Sequence, residues 1–176
     1  MGIATPAKPA LFFCALTYGE EGVARAAGAE LNNILGAAAI DMAPFPFSFT
    51  NYYEEEMGTG LWKAVRIFSA PRDPQDLAEI KLQTNAIEAA LAAPGGKRRV
   101  NLDPGYLTLA KVVLATTKDF SHRIYLRGGV YAEVTLSARD GAFQPHPWTY
   151  PDYRQESVRQ FFWKARNLLA VQRAEK

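Results

Sequence analysis

An α+β fold is predicted by three observations. Hydrophobic periods over residues 10–103 run strand, helix, strand, strand, helix, strand, the order of the split βαβ unit that defines a ferredoxin-like βαββαβ core. The second of these strands carries Pro44 and Pro46, which remove backbone donors along one side and suit the sheet edge that this architecture assigns to it. The remaining residues, 104–176, read as an appended helix, a β-hairpin turned by Gly128-Gly129 and a C-terminal amphipathic helix.

The elements follow in order. Residues 1–9, with Pro6 and Pro9, read as a loose leader, and 10–176 as a single domain. Residues 11–17 are continuously apolar and short, as expected of a central strand buried on both faces. Val23, Ala27, Leu31 and Ile34 recur at helical spacing over 20–35, and Gly36 sits where a left-handed cap stops a helix. Phe45, Phe47 and Phe49 give the edge strand an aromatic face. A third strand spans 61–68, rich in aromatic and branched residues. Asp73-Pro74 caps a second helix traced by Leu77, Ile80, Ile87 and Leu91, and Pro94-Gly95-Gly96 ends it. A fourth strand follows near 98–102.

Asp103-Pro104 repeats the cap signature and predicts a short buried helix over 106–115, although Val112-Val113 also fits a strand. Residues 122–127 and 130–136 flank the diglycine turn. Val158, Phe161, Phe162, Ala165, Leu168 and Leu169 line one side of the closing helix, which must dock on something; the sheet face left bare by the first two helices is the expected place.

Composition bounds the function. The chain has 176 residues, enough to bury about 70% of the surface of its unfolded form without disulfide or metal. Cys14 is the only cysteine, so an internal disulfide and a paired-cysteine metal knuckle are excluded. The lone thiol fits a reducing compartment, and the early apolar run lacks a signal-peptide cleavage pattern and is too short to span a bilayer; a cytoplasmic setting is expected. A net charge of +2 gives no reason to expect nucleic acid or acidic membranes as partners. The phosphate-binding GxxxxGK[ST] loop, GxGxxG and GxSxG are all missing.

Candidate chemistry converges on the hairpin. With the Gly128-Gly129 turn setting the register, Arg127 faces Val130, Ile124 faces Glu133 and His122 faces Thr135, so His122 and Glu133 share a face as diagonal neighbours. A carboxylate beside an imidazole orients it and raises its pKa, as a general acid or base requires. A structural His–Glu hydrogen bond is the alternative. Lys118, His122 and Arg123 cluster at the hairpin entry, with Lys111 two helical turns before Lys118, a group suited to a phosphate or carboxylate. Asn101 through Tyr106 leave a strand and open the predicted helix, where backbone N–H groups can face an anion and Asp103 serves as N-cap, catalytic carboxylate or ligand. Tyr52 and Tyr53 sit beside a turn, able to line a pocket or pack an edge strand. Glu54-Glu55-Glu56 reads as a solvated run, and the stripe Lys81, Asn85, Glu88 as surface pairing.

The strings 50–58, 99–107, 118–119 with 122–126, and 148–153 resemble an uncharacterised prokaryotic family, domain-of-unknown-function family 4416, over nearly the whole chain. The resemblance implies no activity. Its strings contain Asn101, Asp103, Lys118, His122, Arg123 and Asp152 without giving any of them a role. The expectation is therefore a protein that binds a small anionic metabolite, nucleotide-like or phosphorylated. Catalytic candidates are His122, Glu133 and Asp103, and binding candidates Lys118, Arg123, Asn101, Tyr106, Lys111, Asp152, Tyr52 and Tyr53, with cofactor and metal unknown. The alternative is a non-catalytic interaction module whose tyrosines form the contact surface, and a homo-oligomer is compatible with either.

Overall fold

The continuously apolar segment becomes the strand on which both cores rest. In the computed structural model, which describes residues 2–174, every residue of β1 (Leu11–Tyr18) is buried. Side chains alternate across a strand. Phe12, Cys14 and Leu16 therefore join one core with α1 (Glu21–Leu35) and the later helix α3 (Leu77–Ala90), while Leu11, Phe13 and Ala15 join a second core under the closing helix α5 (Glu156–Ala174). A strand between two cores has no wet face, which is why its sequence does not alternate. Residues 2–9 are exposed and irregular; residue 1 of the expected leader and residues 175–176 of the expected domain lie outside the described residues.

The protein is α+β, with one antiparallel eight-stranded sheet and five helices among the described residues. The strand order is β2-β3-β1-β4-β5-β7-β6, with β8 also on β7. β2 (Ala38–Pro46) pairs only with β3 (Trp62–Phe68), so its prolines do lie on an edge. Gly36, at φ 85°, ends α1 and donates its N–H to the Asn32 carbonyl. The Asp73 side chain accepts from the Gln75 N–H, starting a 3-10 turn (Pro74–Asp76) that runs into α3. On the opposite face, Val158, Phe162, Ala165 and Leu169 of α5 are buried, and the Phe162 ring meets Phe13 edge-on at 4.8 Å.

Two expectations fail. The segment 106–115 is not a helix: β4 (Val100–Leu107) continues through Asp103 and Pro104, turns, and returns as β5 (Lys111–Thr116). Val112, Val113 and Leu114 are buried between β4 and β7 (Val130–Arg139), where branched side chains fit the pleat, so tertiary pairing overrides the local cap signal. Asp103 is a strand residue, not an N-cap, and Lys111 lies at the opposite end of β5 from Lys118, not two helical turns away.

The hairpin register also differs. Gly128 and Gly129, at φ 58° and 76°, make the two-residue turn and Arg127 faces Val130, but Leu126 is an extra, bulged residue. Beyond it, Tyr125 faces Tyr131 and Ile124 faces Ala132; β6 (Ile124–Arg127) stops there, leaving His122 in the preceding turn rather than opposite Thr135. A second hairpin, turned by Asp140-Gly141 (φ 51° and 76°), adds β8 (Ala142–Pro145). β6 and β8 share one edge of β7 and leave Glu133, Val134 and Thr135 unpaired between them. The loop before α4 (Pro151–Arg154) fills that gap: the Trp148 indole N–H donates to Val134 O at 2.9 Å and the Thr149 hydroxyl to Thr135 O at 2.5 Å.

β4 and β5 approach so closely at Gly105 that a Cβ there would collide with the Val113 carbonyl oxygen and the Phe13 ring. Gly105→Ala is expected to destabilise the fold by about 1–3 kcal/mol through overpacking, read from the midpoint of urea unfolding. An unchanged midpoint would show that the two strands do not meet as described.

Candidate functional site

The β4–β5 ladder ends at Gly105↔Leu114. The next residue on β4, Pro104, has no N–H to extend it. Beyond it the strands part, and a cavity of about 520 Å³ lies between Asn101 and Asp103 on one wall and residues 114–118 on the other. Residues two apart on a strand direct their backbone groups the same way. Leu102 therefore presents its N–H and C=O to the gap, as Pro104 does its missing donor. Helix α3 satisfies both: Glu88 Oε1 accepts from Leu102 N at 2.6 Å, and Lys81 Nζ donates to Leu102 O at 2.7 Å. The segment after β2, including Phe47, Tyr52 and Tyr53, and Asp152 and Tyr153 of α4 complete the walls, with Lys63 reaching in from β3.

The charges of the cavity are mostly matched in pairs. Lys63 and Asp152, both nearly fully buried, form an ion pair at 2.5 Å, and the Lys63 ammonium also sits about 5 Å from the Phe47 and Tyr153 ring centroids. Lys81 is 3.6 Å from Asp103. Arg98 pairs with Glu56 of α2 (Glu54–Met57) at 2.5 Å and donates to Asn101 Oδ1, whose amide nitrogen donates to Asp103 Oδ2 at 2.8 Å. Glu54, Glu55 and Glu56 are all exposed, as a solvated run should be, and Glu56 pairs with Arg98 from that position. Lys118 differs: among the described residues no carboxylate pairs with it, and its ammonium stands 3.8 Å above the Tyr52 ring. The nearness of that ammonium lowers the Tyr52 pKa. Burial, more than any neighbouring charge, raises the Glu88 carboxyl above the ordinary glutamate range, and burial pushes the Tyr53 phenol far up.

His122 and Glu133 do meet. Glu133, 2% exposed, is 3.2 Å through Oε2 from His122 Nε2 and accepts from Arg123 Nε at 2.9 Å. Arg123 also donates to the Lys118 carbonyl at 2.9 Å and to the Tyr150 hydroxyl at 2.7 Å. The imidazole stacks on Trp148 at 5.2 Å, and the same indole stacks with His146 at 4.8 Å. Glu133 lines the cavity, whereas His122 and Arg123 open onto a shallow neighbouring depression with Phe120 and Trp148; Tyr150 lines both.

The cavity thus gathers Asp103, Glu133, Asn101, Lys118, Asp152, Tyr52 and Tyr53 of the expected residues. Four lie elsewhere: His122 and Arg123 next door, Tyr106 packed beside Phe12 on the α1–α3 face, and Lys111 exposed at the far end of β5. Sequence reasoning missed Lys63 and Arg98 and took Lys81 and Glu88 for surface pairing, yet both are more than nine-tenths buried. Their signal was present: Leu77, Lys81, Thr84 and Glu88 share one helical face with a core leucine, and Lys63 shares an inward strand face with Val65 and Ile67. Among the described residues, no three or more His, Cys, Asp and Glu side chains are grouped to hold a metal ion, and no helix is long and apolar enough to cross a membrane.

The sequence profile of the family described as Domain of unknown function (DUF4416) matches residues 8–168. No curated protein and no solved structure matches the chain.

Two measurements check this electrostatic arrangement. Asp152→Ala leaves the Lys63 ammonium buried without its partner and is expected to cost about 3–5 kcal/mol of stability in urea unfolding; a loss below about 1 kcal/mol would place the pair in water. Because the folded state holds the Glu88 proton to higher pH than the unfolded chain, this group's contribution to stability falls as pH rises from the ordinary glutamate range through its raised pKa. Glu88→Gln keeps an acceptor for Leu102 N–H and removes that fall. The variant should therefore gain stability relative to the natural protein as pH rises above the ordinary glutamate range; parallel pH profiles would mean Glu88 is not perturbed.

Proposed function

The protein belongs to the DUF4416 family, whose description assigns no activity, and we propose that it binds a small anionic metabolite, nucleotide-like or phosphorylated, in the cavity between β4 and β5. One observation carries this reading. Lys118 is the cavity cation without a carboxylate among the described residues, held over Tyr52 at the exposed rim, while Lys63, Lys81 and Arg98 are engaged by Asp152, Asp103 and Glu56. An unmatched ammonium at the mouth of a cavity favours an anion. The volume of about 520 Å³ falls among small-molecule pockets, about 300–1,000 Å³.

Acid–base catalysis by His122 is secondary to this reading. The imidazole faces the neighbouring depression, and its link to the cavity is the Glu133 carboxylate, which lines the cavity and meets His122 Nε2. Asp103, partly open to the cavity, is the nearer candidate for contact with a ligand. The ferredoxin-like reading of the first four strands is supported by the order β2-β3-β1-β4, all antiparallel, with α1 and α3 packed on one face. A cytoplasmic setting accords with the single, fully buried Cys14.

The second reading, an assembly module, is favoured by β6. That four-residue edge strand exposes Ile124, Tyr125 and Leu126, with Phe120 exposed nearby, and an apolar free edge is a template for pairing with another chain.

Thermal-shift measurements with nucleotides, inorganic phosphate and phosphorylated sugars, together with native mass spectrometry of protein purified from cells, test the binding. At least one anion should raise the melting temperature, and Lys118→Ala should weaken its binding about tenfold or more, the size of a charge-assisted contact, without lowering the melting temperature of the free protein. If no anion shifts the natural protein and it emerges instead as a symmetric dimer, the assembly reading replaces this one.

A further inference from the structure

Resting on the reading of the cavity as an anion site, we infer that its ligand is a phosphorylated polyhydroxy compound, a sugar phosphate in class, bound with its phosphate at the rim and its hydroxyls on the floor. The cavity is polarised along its depth. Lys118 and the Arg98 guanidinium both lie over Tyr52, at 3.8 and 6.0 Å from the ring centroid, so two cations share one exposed ring at the rim. The floor is different. Glu88, Glu133 and Asp152 are each more than nine-tenths buried, and the floor cations Lys63 and Lys81 are taken up by Asp152 and by Leu102 O with Asp103. A second anionic group pushed inward would meet carboxylates and no unmatched cation.

What the floor offers is carboxylate acceptors and the neutral amide of Asn85. Glu88 spends only Oε1 on Leu102 N–H, Asp103 stays partly open beside Asn101, and Asn85 contributes an amide with both a donor and an acceptor. Vicinal hydroxyls, each donor and acceptor, suit this set; a carboxylate or second phosphate does not.

The aromatic lining argues against a flat base as the recognised group. Tyr52 has one face under Lys118 and packs edge-on against Tyr53 at 5.0 Å and 86°, and Tyr53 in turn tilts against Phe47. No two of these rings stand parallel to sandwich a base. They serve as a frame that holds the rim cations.

Isothermal titration of the full chain with pentose and hexose phosphates, inorganic phosphate, the free sugars and adenosine monophosphate tests the inference. A sugar phosphate should bind at least about tenfold more tightly than inorganic phosphate, and the free sugars should give no measurable heat. Asn85→Ala should bring sugar phosphate down toward inorganic phosphate while leaving the latter unchanged, whereas Lys118→Ala should weaken both. Equal affinity for sugar phosphates and inorganic phosphate, or tighter binding of the adenosine nucleotide than of every sugar phosphate, overturns the polyol assignment and leaves the anion site standing. If no phosphate-bearing probe binds, both fall together.

Discussion

A β-strand that leaves its neighbour before its own end exposes backbone donors and acceptors, and a buried backbone group without a partner is costly. That constraint organises this protein. Pro104 cannot donate across to β5, the ladder stops at Gly105, and Leu102 is left with both backbone groups facing the gap. Lys81 and Glu88 answer them from α3, one as donor and one as acceptor, so the helix takes the place that a strand would have filled. Side chains that replace a strand leave room that a strand would not. The cavity and the means of closing its wall thus have one origin in a single residue without an N–H.

The same substitution fixes the electrostatics. Lys81 and Glu88 could not be buried in isolation, since a lone charge in a low-dielectric interior is strongly disfavoured. Lys81 draws Asp103 to it; Asp103 is held by Asn101; Asn101 accepts from Arg98; and Arg98 reaches Glu56 on the far rim. The chain of contacts joins α3, β4 and the segment after β2, three stretches that have no ladder in common. A buried network of this kind is weak evidence for stability, because hydrophobic replacements often do as well. Its effect on form is larger: each member restricts the next, and the cavity walls are set by the geometry of the pairs.

Much of this was legible in the sequence because it rests on local or periodic signals. The doubly buried β1, the edge prolines of β2, the Gly36 stop and the diglycine turn each follow from a short string, and the amphipathic α5 does dock on the face away from α1 and α3. The failures have physical causes. Asp103-Pro104 looks like a helix start, but the cap preference is worth about 1 kcal/mol, less than burying Val112, Val113 and Leu114 in a sheet at about 1.5–3 kcal/mol for each such side chain. The bulge at Leu126 leaves no mark in composition, and it moves every pairing beyond it by one position. Lys63 and Glu88 showed in the sequence only as charges on inward faces; the partners that make a site of them, Asp152 and the Leu102 backbone, come from 89 and 14 residues away.

The meeting of His122 with Glu133 survived the error in register because it does not depend on register. β6 and β8 both pair with β7 and leave three residues between them uncovered, so the Glu133 position on that edge is reached from the turn before β6, whatever the pairing inside it. Arg123 exploits the same opening: one guanidinium holds the Glu133 carboxylate, the Lys118 carbonyl and the Tyr150 hydroxyl. The backbone of Lys118 is thereby anchored to the cavity wall while its ammonium projects to the rim over Tyr52. A cation on a tethered backbone gives up less freedom when it meets an anion than one on a free loop, and preorganisation of that kind is where binding affinity is gained. Arg123 therefore acts on the cavity without lining it.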